Sequence, residues 1–422
     1  MFDNFYFIMK DLLKTVIADQ LKLVWNDSFV RREFPEMLTK GEDIVVISGI
    51  RRCGKSTLLN QIRSSYREQD YYMNFDDERL LKFKVGDFQE LHEIFIELFG
   101  QQTTFWFDEI QNVQGWERFV RRLHEQGSKV FITGSNATML SRELGTHLTG
   151  RYLRHELFPF SFKEFLLLEN YKPEEKMAYT TEGKAELRRL YNKYFLSGGF
   201  PYYLKFGDDN YLKSLYESIL YRDVMARHNL TGEKELKELV YLLASNVSRL
   251  FSNNRLATAV GLRNATTMKN YLDFLQDTYL LFAVNKFDFS ARKQLQNARK
   301  IYFIDNALIR KLGFIFSEDR GRFLENMVFI ELKRRGKEIY YFKGKAECDF
   351  LVRDGIDITG AIQVCYAFGD KETRDRELKG LMEALVAYHI DNGWILTDDT
   401  EETLEQNGKM IRIMPVWKWM II

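Results

Sequence analysis

Residues 49–56 have the types and the spacing of a phosphate-binding loop. They read Gly-Ile-Arg-Arg-Cys-Gly-Lys-Ser and follow the apolar run at residues 44–47. Two glycines let the backbone curl with its N–H groups inward, a lysine reaches the β- and γ-phosphates, and a serine hydroxyl reaches magnesium. A helix that begins near Lys55 adds its positive end to the same pocket. The pattern predicts a nucleoside triphosphate site formed by Gly49, Ile50, Arg51, Arg52, Cys53, Gly54, Lys55, Ser56 and Thr57.

Two adjacent carboxylates, Asp108 and Glu109, end a second apolar run. The residues before them, 104–107, are Thr-Phe-Trp-Phe, which is typical of a buried strand. Asp108 would hold magnesium together with Ser56, and Glu109 would polarise the water that attacks the γ-phosphate. The alternative is that both carboxylates only cap a helix that begins near Gln114. The upstream phosphate-binding loop favours the catalytic interpretation.

A third apolar run, residues 129–133, ends in Gly-Ser-Asn. Ser135 or Asn136 would lie between the two preceding strands and orient the attacking water, and we take Asn136 as the catalytic candidate. The alternative is a turn in which Asn tolerates unusual backbone angles. Arg151, further on, is the candidate arginine finger, with a structural salt bridge as its alternative. A finger that acts across a subunit boundary implies a homo-oligomer.

The composition bounds the class of protein. The chain has 422 residues, enough for about two to four domains. Its 45% hydrophobic content argues against disorder, and its net charge of +1 does not mark it as a polycation for nucleic acid. Cys53, Cys348 and Cys365 lack metal-ligand spacing, which favours a reducing cytoplasm over a disulfide framework. Charged residues interrupt the apolar N-terminal patches, so we expect neither a signal peptide nor a membrane span.

Periodicity divides the chain into successive segments. Residues 1–40 read as a helical segment. Strands that alternate with helices over residues 41–165 predict a mostly parallel sheet with helices on both faces, and the nucleotide would lie beyond the carboxyl ends of the strands. Residues 166–235 read as a helical lid.

Residues 236–313 have the pattern of a winged helix-turn-helix. Two short helices precede two strand-like runs, which are joined through Arg292, Lys293, Arg299 and Lys300 as a basic wing. Winged helices bind DNA in many proteins and serve protein contacts in others, so both partners stay open. The residues predicted to face a duplex are Arg255, Arg263, Asn264, Thr266, Thr267 and Lys269.

Residues 314–422 follow the order helix, strand, strand, strand, helix, strand. Glu325, Asp349 and Gln363 fall where a metal-dependent nuclease places a helix carboxylate, a strand carboxylate and a third ligand. A working nuclease of this kind would have Glu-x-Lys where this chain has Gln-Val-Cys, so it lacks one negative charge and one ammonium group. The pattern predicts a retired nuclease site, although Lys343 or Lys345 could replace the ammonium and leave residual cleavage.

These motifs together resemble the predicted AAA+ ATPases of bacteria and archaea, whose core is followed by a winged helix and a restriction-endonuclease-like fold. The similar segments are the phosphate-binding loop, the strand ending at Asp108, Thr-Gly-Ser-Asn at 133–136, Leu-Phe-Pro-Phe-Ser-Phe at 157–162 and Gly-Gly-Phe-Pro at 198–201. The resemblance covers the chain from about Phe29 to its end. It implies an α/β fold with a three-layer P-loop NTPase (AAA+) core, a helical lid, a winged helix and a C-terminal α/β endonuclease-like domain. It also implies ATP and Mg²⁺ as ligands.

The sequence leaves more than one function open. The leading hypothesis is an ATPase whose nucleotide state repositions the winged-helix and nuclease-like modules on DNA or a protein partner. One alternative is a slow ATP-dependent regulatory switch that binds a protein partner, and another is a nuclease gated by ATP. Kinase activity is disfavoured because no acceptor site is visible.

Overall fold

The computed structural model describes residues 2–22, 29–135, 150–172, 180–313 and 320–422, with the backbone alone described for residues 2–9. The chain divides into two compact units, Met1–Leu157 and Phe158–Ile422. In the part of the chain described, no helix combines the length and the apolar character that crossing a membrane requires.

The first unit is built on a parallel sheet of five strands in the order β2-β3-β4-β1-β5. Its strands are β1 (Ile44–Ser48), β2 (Tyr72–Asn74), β3 (Thr104–Asp108), β4 (Lys129–Gly134) and β5 (Tyr152–Glu156). Every residue of β1 and β3 is buried, and both strands therefore read as continuous apolar runs. The sequence pattern missed β5, which is half-buried throughout and carries Arg154, His155 and Glu156.

Helices accompany this sheet. They are α1 (Phe2–Leu21), α2 (Met37–Lys40), α3 (Lys55–Arg63), α4 (Phe88–Phe99) and α5 (Trp116–Glu125), with 3-10 turns at Glu78–Leu80, Val85–Asp87 and Ile110–Asn112. Leu13, Val16 and Ile17 of α1 belong to the same apolar core as the strands. The N-terminal helical segment is therefore part of the first unit's core.

The second unit begins with helices α6 (Phe162–Leu168), α7 (Thr181–Ser197), α8 (Pro201–Phe206) and α9 (Asp209–Ser218) and a π-helix at Ile219–Ala226. Gly198 and Gly199 lie where the backbone passes close to other groups. A Cβ atom at Gly199 would lie 2.3 Å from the carbonyl oxygen of Phe160, and Gly198 has a φ of +64°. Larger residues do not fit this turn.

A three-stranded antiparallel sheet follows, in the order β6-β8-β7. The helices and strands of this part of the chain are α10 (Glu233–Ser245), β6 (Leu250–Phe251), α11 (Asn253–Ala259), α12 (Ala265–Asp277), β7 (Leu281–Asn285), α13 (Ala291–Gln296), β8 (Arg299–Phe303) and α14 (Asn306–Leu312). Arg292 and Lys293 are exposed on α13, as a basic wing requires. The prediction was wrong for Lys300, which is 2% exposed within β8, because its ammonium group pairs with buried carboxylates.

The C-terminal part is a mixed sheet of six strands in the order β13-β14-β12-β11-β10-β9. Its elements are α15 (Arg320–Arg334), β9 (Glu338–Lys343), β10 (Glu347–Asp354), β11 (Asp357–Cys365), α16 (Lys371–Ala387), β12 (Asn392–Thr397), β13 (Glu402–Gln406), β14 (Lys409–Pro415) and α17 (Val416–Ile421). The sequence pattern predicted the order up to β12 and missed β13, β14 and α17.

Candidate active site

The loop between β1 and α3 has a conformation that depends on its glycines. Gly49 has a φ of +153°, and a Cβ atom there would lie 2.1 Å from the carbonyl oxygen of Leu157. Gly54 has a φ of +104° at the start of α3, and a Cβ atom there would lie 3.0 Å from the Arg32 guanidinium group. Arg52 also adopts a positive φ, of 64°. The main chain therefore curls tightly directly before the N-terminus of α3.

Lys55 is the first residue of α3 and is buried, with 4% of its surface exposed. Its Nζ donates to the carbonyl oxygen of Ile50 at 3.3 Å and pairs with Oε1 of Glu109 at 3.2 Å. Burial lowers the pKa of Lys55, but attraction to Glu109 outweighs it and the pKa is raised. The ammonium group is therefore charged at neutral pH.

Asp108 ends β3 with its carboxylate fully buried. It accepts a short hydrogen bond from the Thr133 hydroxyl, and the Ser56 hydroxyl is also hydrogen-bonded to it. Burial raises the pKa of Asp108, and repulsion from Glu109 acts in the same direction. A cation near Asp108 and Ser56 would offset both effects.

Glu109 follows at once, in a left-handed conformation with a φ of +49°. Its N–H donates to Oγ1 of Thr133 at 2.9 Å, and its Oε2 accepts from Nε2 of Gln111 at 2.5 Å. Burial raises the pKa of Glu109, but the positive charge of Lys55 outweighs it and the pKa is lowered. A non-glycine residue in this conformation is strained, and such strain often accompanies a functional role.

Three residues of the site were not found from the sequence. The Thr133 hydroxyl is hydrogen-bonded to the Asp108 carboxylate and to the backbone N–H of Glu109, and Gln111 donates to the Glu109 carboxylate. Nη1 of Arg32 donates to the carbonyl oxygen of Cys53 at 2.6 Å and so supports the phosphate-binding loop from outside. A hydroxyl at the end of the apolar run 129–133 is a signal for Thr133, whereas nothing in the sequence shows that Arg32 lies beside the loop.

The predicted water-orienting residues, Ser135 and Asn136, and the predicted arginine finger, Arg151, come next along the chain. Ser135 is buried after β4, which lies between β3 and β1, and its Oγ is 3.4 Å from Nε2 of Gln111. Asn136 lies outside the described residues. Arg151 precedes β5 and pairs with Oε1 of Glu125 at 2.6 Å, with both side chains about half exposed. The salt-bridge interpretation of Arg151 therefore describes its contact within the chain.

The described residues include no cluster of His, Cys, Asp and Glu side chains arranged to hold a metal ion by themselves. Asp108 and Ser56 offer one carboxylate and one hydroxyl. This pair suits Mg²⁺ that arrives with a nucleotide, because that ion keeps several waters and takes further ligands from phosphates. The chemistry of the donors therefore fits a nucleotide-bound magnesium ion.

In the second unit, the residues predicted to face a duplex are mainly at the surface. Arg255 of α11, Arg263 in the connection between α11 and α12, and Lys269 of α12 are exposed. Asn264 caps α12 through a 2.7 Å bond from the Thr266 N–H. Arg299 of β8 is half-buried and donates to Asn253 at 2.8 Å.

Family profiles match two parts of the chain. A profile described as an AAA domain matches residues 41–166, and a profile described as a domain of unknown function matches residues 188–319. The first match contains the phosphate-binding loop and both carboxylates.

Curated relatives extend this similarity along the whole chain. An uncharacterised protein of Methanocaldococcus jannaschii is 35% identical over 432 residues, which covers 98% of this chain and 96% of the relative. An uncharacterised protein of Haemophilus influenzae is 31% identical over 347 residues, with 78% and 84% covered.

Two solved structures also match, each with 14% identity and a TM-score of 0.26. They are the replication initiator DnaA bound to AMPPCP and single-stranded DNA, with 63% of this chain and 86% of that chain covered, and Cdc6p from Pyrobaculum aerophilum, with 68% and 96% covered.

Proposed function

Because the chain belongs to the same family as the Methanocaldococcus jannaschii protein and its residues 41–166 match an AAA domain, we propose that it binds ATP with Mg²⁺ and hydrolyses it. The observation that supports this most directly is the contact between a buried lysine and a largely buried glutamate. Lys55, from the phosphate-binding loop, lies 3.2 Å from Glu109, beside the buried Asp108. These contacts bring together a proposed phosphate-binding cation, a proposed metal-binding carboxylate and a second carboxylate for water.

Each residue takes a defined part in the proposed reaction. The curled loop and the N-terminus of α3 bind the phosphates, and Lys55 neutralises the β- and γ-phosphate oxygens. Asp108 and Ser56 hold Mg²⁺, which when bound neutralises charge that develops on the phosphates. Glu109 orients and polarises water for attack, with Thr133 fixing its backbone. Ser135 and Asn136 stay candidates for a further water contact.

We propose further that the nucleotide state of the first unit changes how the second unit binds DNA or a protein partner. The order α10-β6-α11-α12-β7-α13-β8, with strands β6, β8 and β7 in one antiparallel sheet, supports a winged helix. Arg255 on α11, Lys269 on α12 and Arg263 between these helices are exposed, which favours DNA phosphates as the contact. Three free, buried cysteines support a reducing, cytoplasmic location.

The hydrolysis proposal is tested by two substitutions and a control. Lys55→Ala should abolish ATP binding, measured by equilibrium dialysis with labelled ATP. Glu109→Gln should retain binding while turnover falls by about 100-fold or more. Lys40→Ala removes an exposed lysine that pairs with Glu36, at 3.5 Å, and should leave both measurements unchanged. Full turnover by Glu109→Gln would remove Glu109 from the mechanism, and a single slow turnover by the unmodified chain would indicate a switch.

The coupling proposal is tested separately, by measuring ATP turnover with and without duplex DNA across a salt series. We expect stimulation that weakens steeply as salt rises, because phosphate contacts release counterions. Replacing Arg263 and Lys269 by Ala should reduce both the stimulation and its salt dependence. Lys234→Ala, at an exposed position of α10, is the matched control. Stimulation that survives the double substitution would exclude Arg263 and Lys269 as DNA contacts.

A further inference from the structure

A buried lysine and three acidic side chains meet between the three-stranded sheet and the six-stranded sheet of the second unit. Lys300 projects from β8 and its side chain is 3% exposed. Its Nζ lies 2.8 Å from Oδ1 of Asp349, 2.8 Å from Oε1 of Glu347 and 3.1 Å from Oε1 of Glu325. These four residues are called the carboxylate pocket below.

The acidic side chains of the pocket are held in place by further hydrogen bonds. The Tyr302 hydroxyl donates to Oε1 of Glu325 at 2.6 Å, and the Val364 N–H donates to Oδ2 of Asp349 at 3.0 Å. Glu347 also pairs with Lys343 at 2.9 Å. The carboxylate oxygens therefore converge on one fixed point, which the ammonium group of Lys300 occupies.

Gln363 does not take part in binding at that point. Its Oε1 accepts from the Asp349 N–H at 3.1 Å and its Nε2 donates to Glu377 at 2.5 Å, so both ends of the amide have partners. The third ligand predicted from the sequence is thus used to join β11 to β10 and α16. Lys343, one of two lysines suggested as a substitute ammonium, pairs with Glu347, whereas Lys300 reaches all three carboxylates.

The chemistry of the pocket is that of a cation site. A buried carboxylate is costly unless it is paired, and several together need a positive charge between them. With the ammonium group in place this cluster is not arranged to hold a metal ion, but its oxygen ligands, which converge from a helix and a strand, are of the type that divalent metal ions prefer. The ammonium group supplies charge and three hydrogen-bond donors at the same point, but it is almost fully buried and out of reach of a phosphodiester.

We propose that Lys300 is the resident cation of the carboxylate pocket and takes the place of a divalent metal ion. The pocket consequently joins β8 to α15 and β10 by charge, without metal, and the unit does not cleave nucleic acid. Removal of the ammonium group should turn the pocket into a divalent-cation site. The proposal does not depend on ATP hydrolysis, since no residue of the nucleotide site takes part.

The test is a titration of the full chain with Mn²⁺ in the absence of nucleotide, with free Mn²⁺ measured by electron paramagnetic resonance. All variants carry Asp108→Asn, which removes the carboxylate that would bind metal in the nucleotide site. We expect no tight site in this background and one added Mn²⁺ per chain after Lys300→Ala, with at least a tenfold gain in affinity. Lys300→Arg keeps the charge and should gain none. Adding Asp349→Asn to Lys300→Ala should abolish the gained site.

Two results would overturn the proposal. One is Mn²⁺ binding in the background that disappears with Asp349→Asn, and the other is a folded Lys300→Ala chain without a new site. If Lys300→Ala does not fold, Lys300→Met with Glu347→Gln removes one buried negative charge together with the ammonium group and leaves Glu325 and Asp349 as ligands. Circular dichroism checks the fold of this double variant, and the same Mn²⁺ titration shows whether it has gained a metal site. Plasmid cleavage by the unmodified chain that is lost with Asp349→Asn would also contradict the proposal.

Discussion

The Thr133 hydroxyl contacts both acidic residues of the nucleotide site, the carboxylate of Asp108 and the backbone of Glu109. It donates to Asp108 and accepts from the Glu109 N–H, which is the bond that holds Glu109 in its left-handed conformation. Thr133 lies near the end of β4, so the strand adjacent to β3 holds the backbone of Glu109. Thr133 is thus a positioning residue of the proposed site.

Replacing Thr133 by Val keeps the shape of the side chain and removes the hydroxyl. We expect ATP turnover to fall by about 10- to 100-fold, because Glu109 loses the bond that orients it. ATP affinity should change by no more than about threefold, since Lys55 and the phosphate-binding loop are untouched. Steady-state kinetics and a binding titration measure the two quantities. Thr133→Ser retains the hydroxyl and should restore most of the turnover; equal loss in both variants would indicate a packing role.

Asp305 gives the second unit a pH-dependent stability. Burial raises the pKa of Asp305 to about 6, although the N–H groups of Gly199 and Ala307 donate to its carboxylate. A group whose pKa is higher in the folded state stabilises the fold below its unfolded pKa, and this contribution is lost as pH rises through the folded value.

Relative to Asp305→Asn, which does not titrate, the unmodified chain should therefore lose about 2 kcal/mol of stability between about pH 4 and pH 7. Urea unfolding followed by circular dichroism at several pH values measures this difference. Asp208→Asn alters the exposed cap of α9 and serves as the control. A difference between the chains that stays constant across this pH range would contradict the assignment.

At the scale of elements, the sequence predicted those with strong periodicity. The buried strands β1, β3 and β4 and the helix α15 were found close to their observed bounds, because continuous apolar runs and spacings of four residues are unambiguous. Strands with exposed faces were missed. β5 is half-buried, and β13 at the edge of its sheet carries Glu402, Thr403 and Glu405, so neither shows an apolar run.

The candidate site was predictable to the extent that its residues are adjacent in the chain. Lys55, Ser56, Asp108 and Glu109 belong to short motifs with fixed spacing. Thr133 and Lys300 act through contacts between elements that are distant in the sequence. No local pattern distinguishes the buried Lys300 from its exposed neighbours Arg292 and Lys293, because burial is decided by the pairing of whole strands.

Two glycine-to-alanine substitutions, one in α16 and one in α15, should have opposite effects on stability, because only the first glycine lies against the backbone of a strand. A Cβ atom at Gly380 of α16 would lie 2.1 Å from the carbonyl oxygen of Glu347, so Gly380→Ala must push the helix from β10. We expect a loss of about 1–3 kcal/mol of stability. Among the described residues, the nearest atom to a Cβ built at Gly321 of α15 would be Cβ of Tyr366, at 4.0 Å. Gly321→Ala should therefore stabilise the chain by up to about 1 kcal/mol through helix propensity. Thermal unfolding of both variants compares them, and equal effects would contradict the close approach.

At the scale of the whole molecule, the charge is nearly balanced, with a net value of +1. Partner binding must therefore come from local groups, such as the exposed basic residues on α11 and α12, and not from a global field. The arginine-finger prediction for Arg151 is likewise local, because it expects the guanidinium group of one subunit to act on the nucleotide site of another.

Within one chain Arg151 pairs with Glu125, and both side chains are about half exposed. An exposed pair of this kind is worth less than about 1 kcal/mol, so Arg151 can leave it at little cost when a neighbouring subunit presents a triphosphate. If Arg151 is a finger, Arg151→Ala should lower turnover by about a thousandfold or more. Arg121→Ala removes a second guanidinium group close to Glu125, 3.7 Å away, and should leave turnover unchanged.

Turnover of the unmodified chain should also rise more than linearly with its concentration, because only the assembled form completes the site. Unchanged turnover in Arg151→Ala, together with a linear concentration dependence, would leave Arg151 with its salt bridge alone.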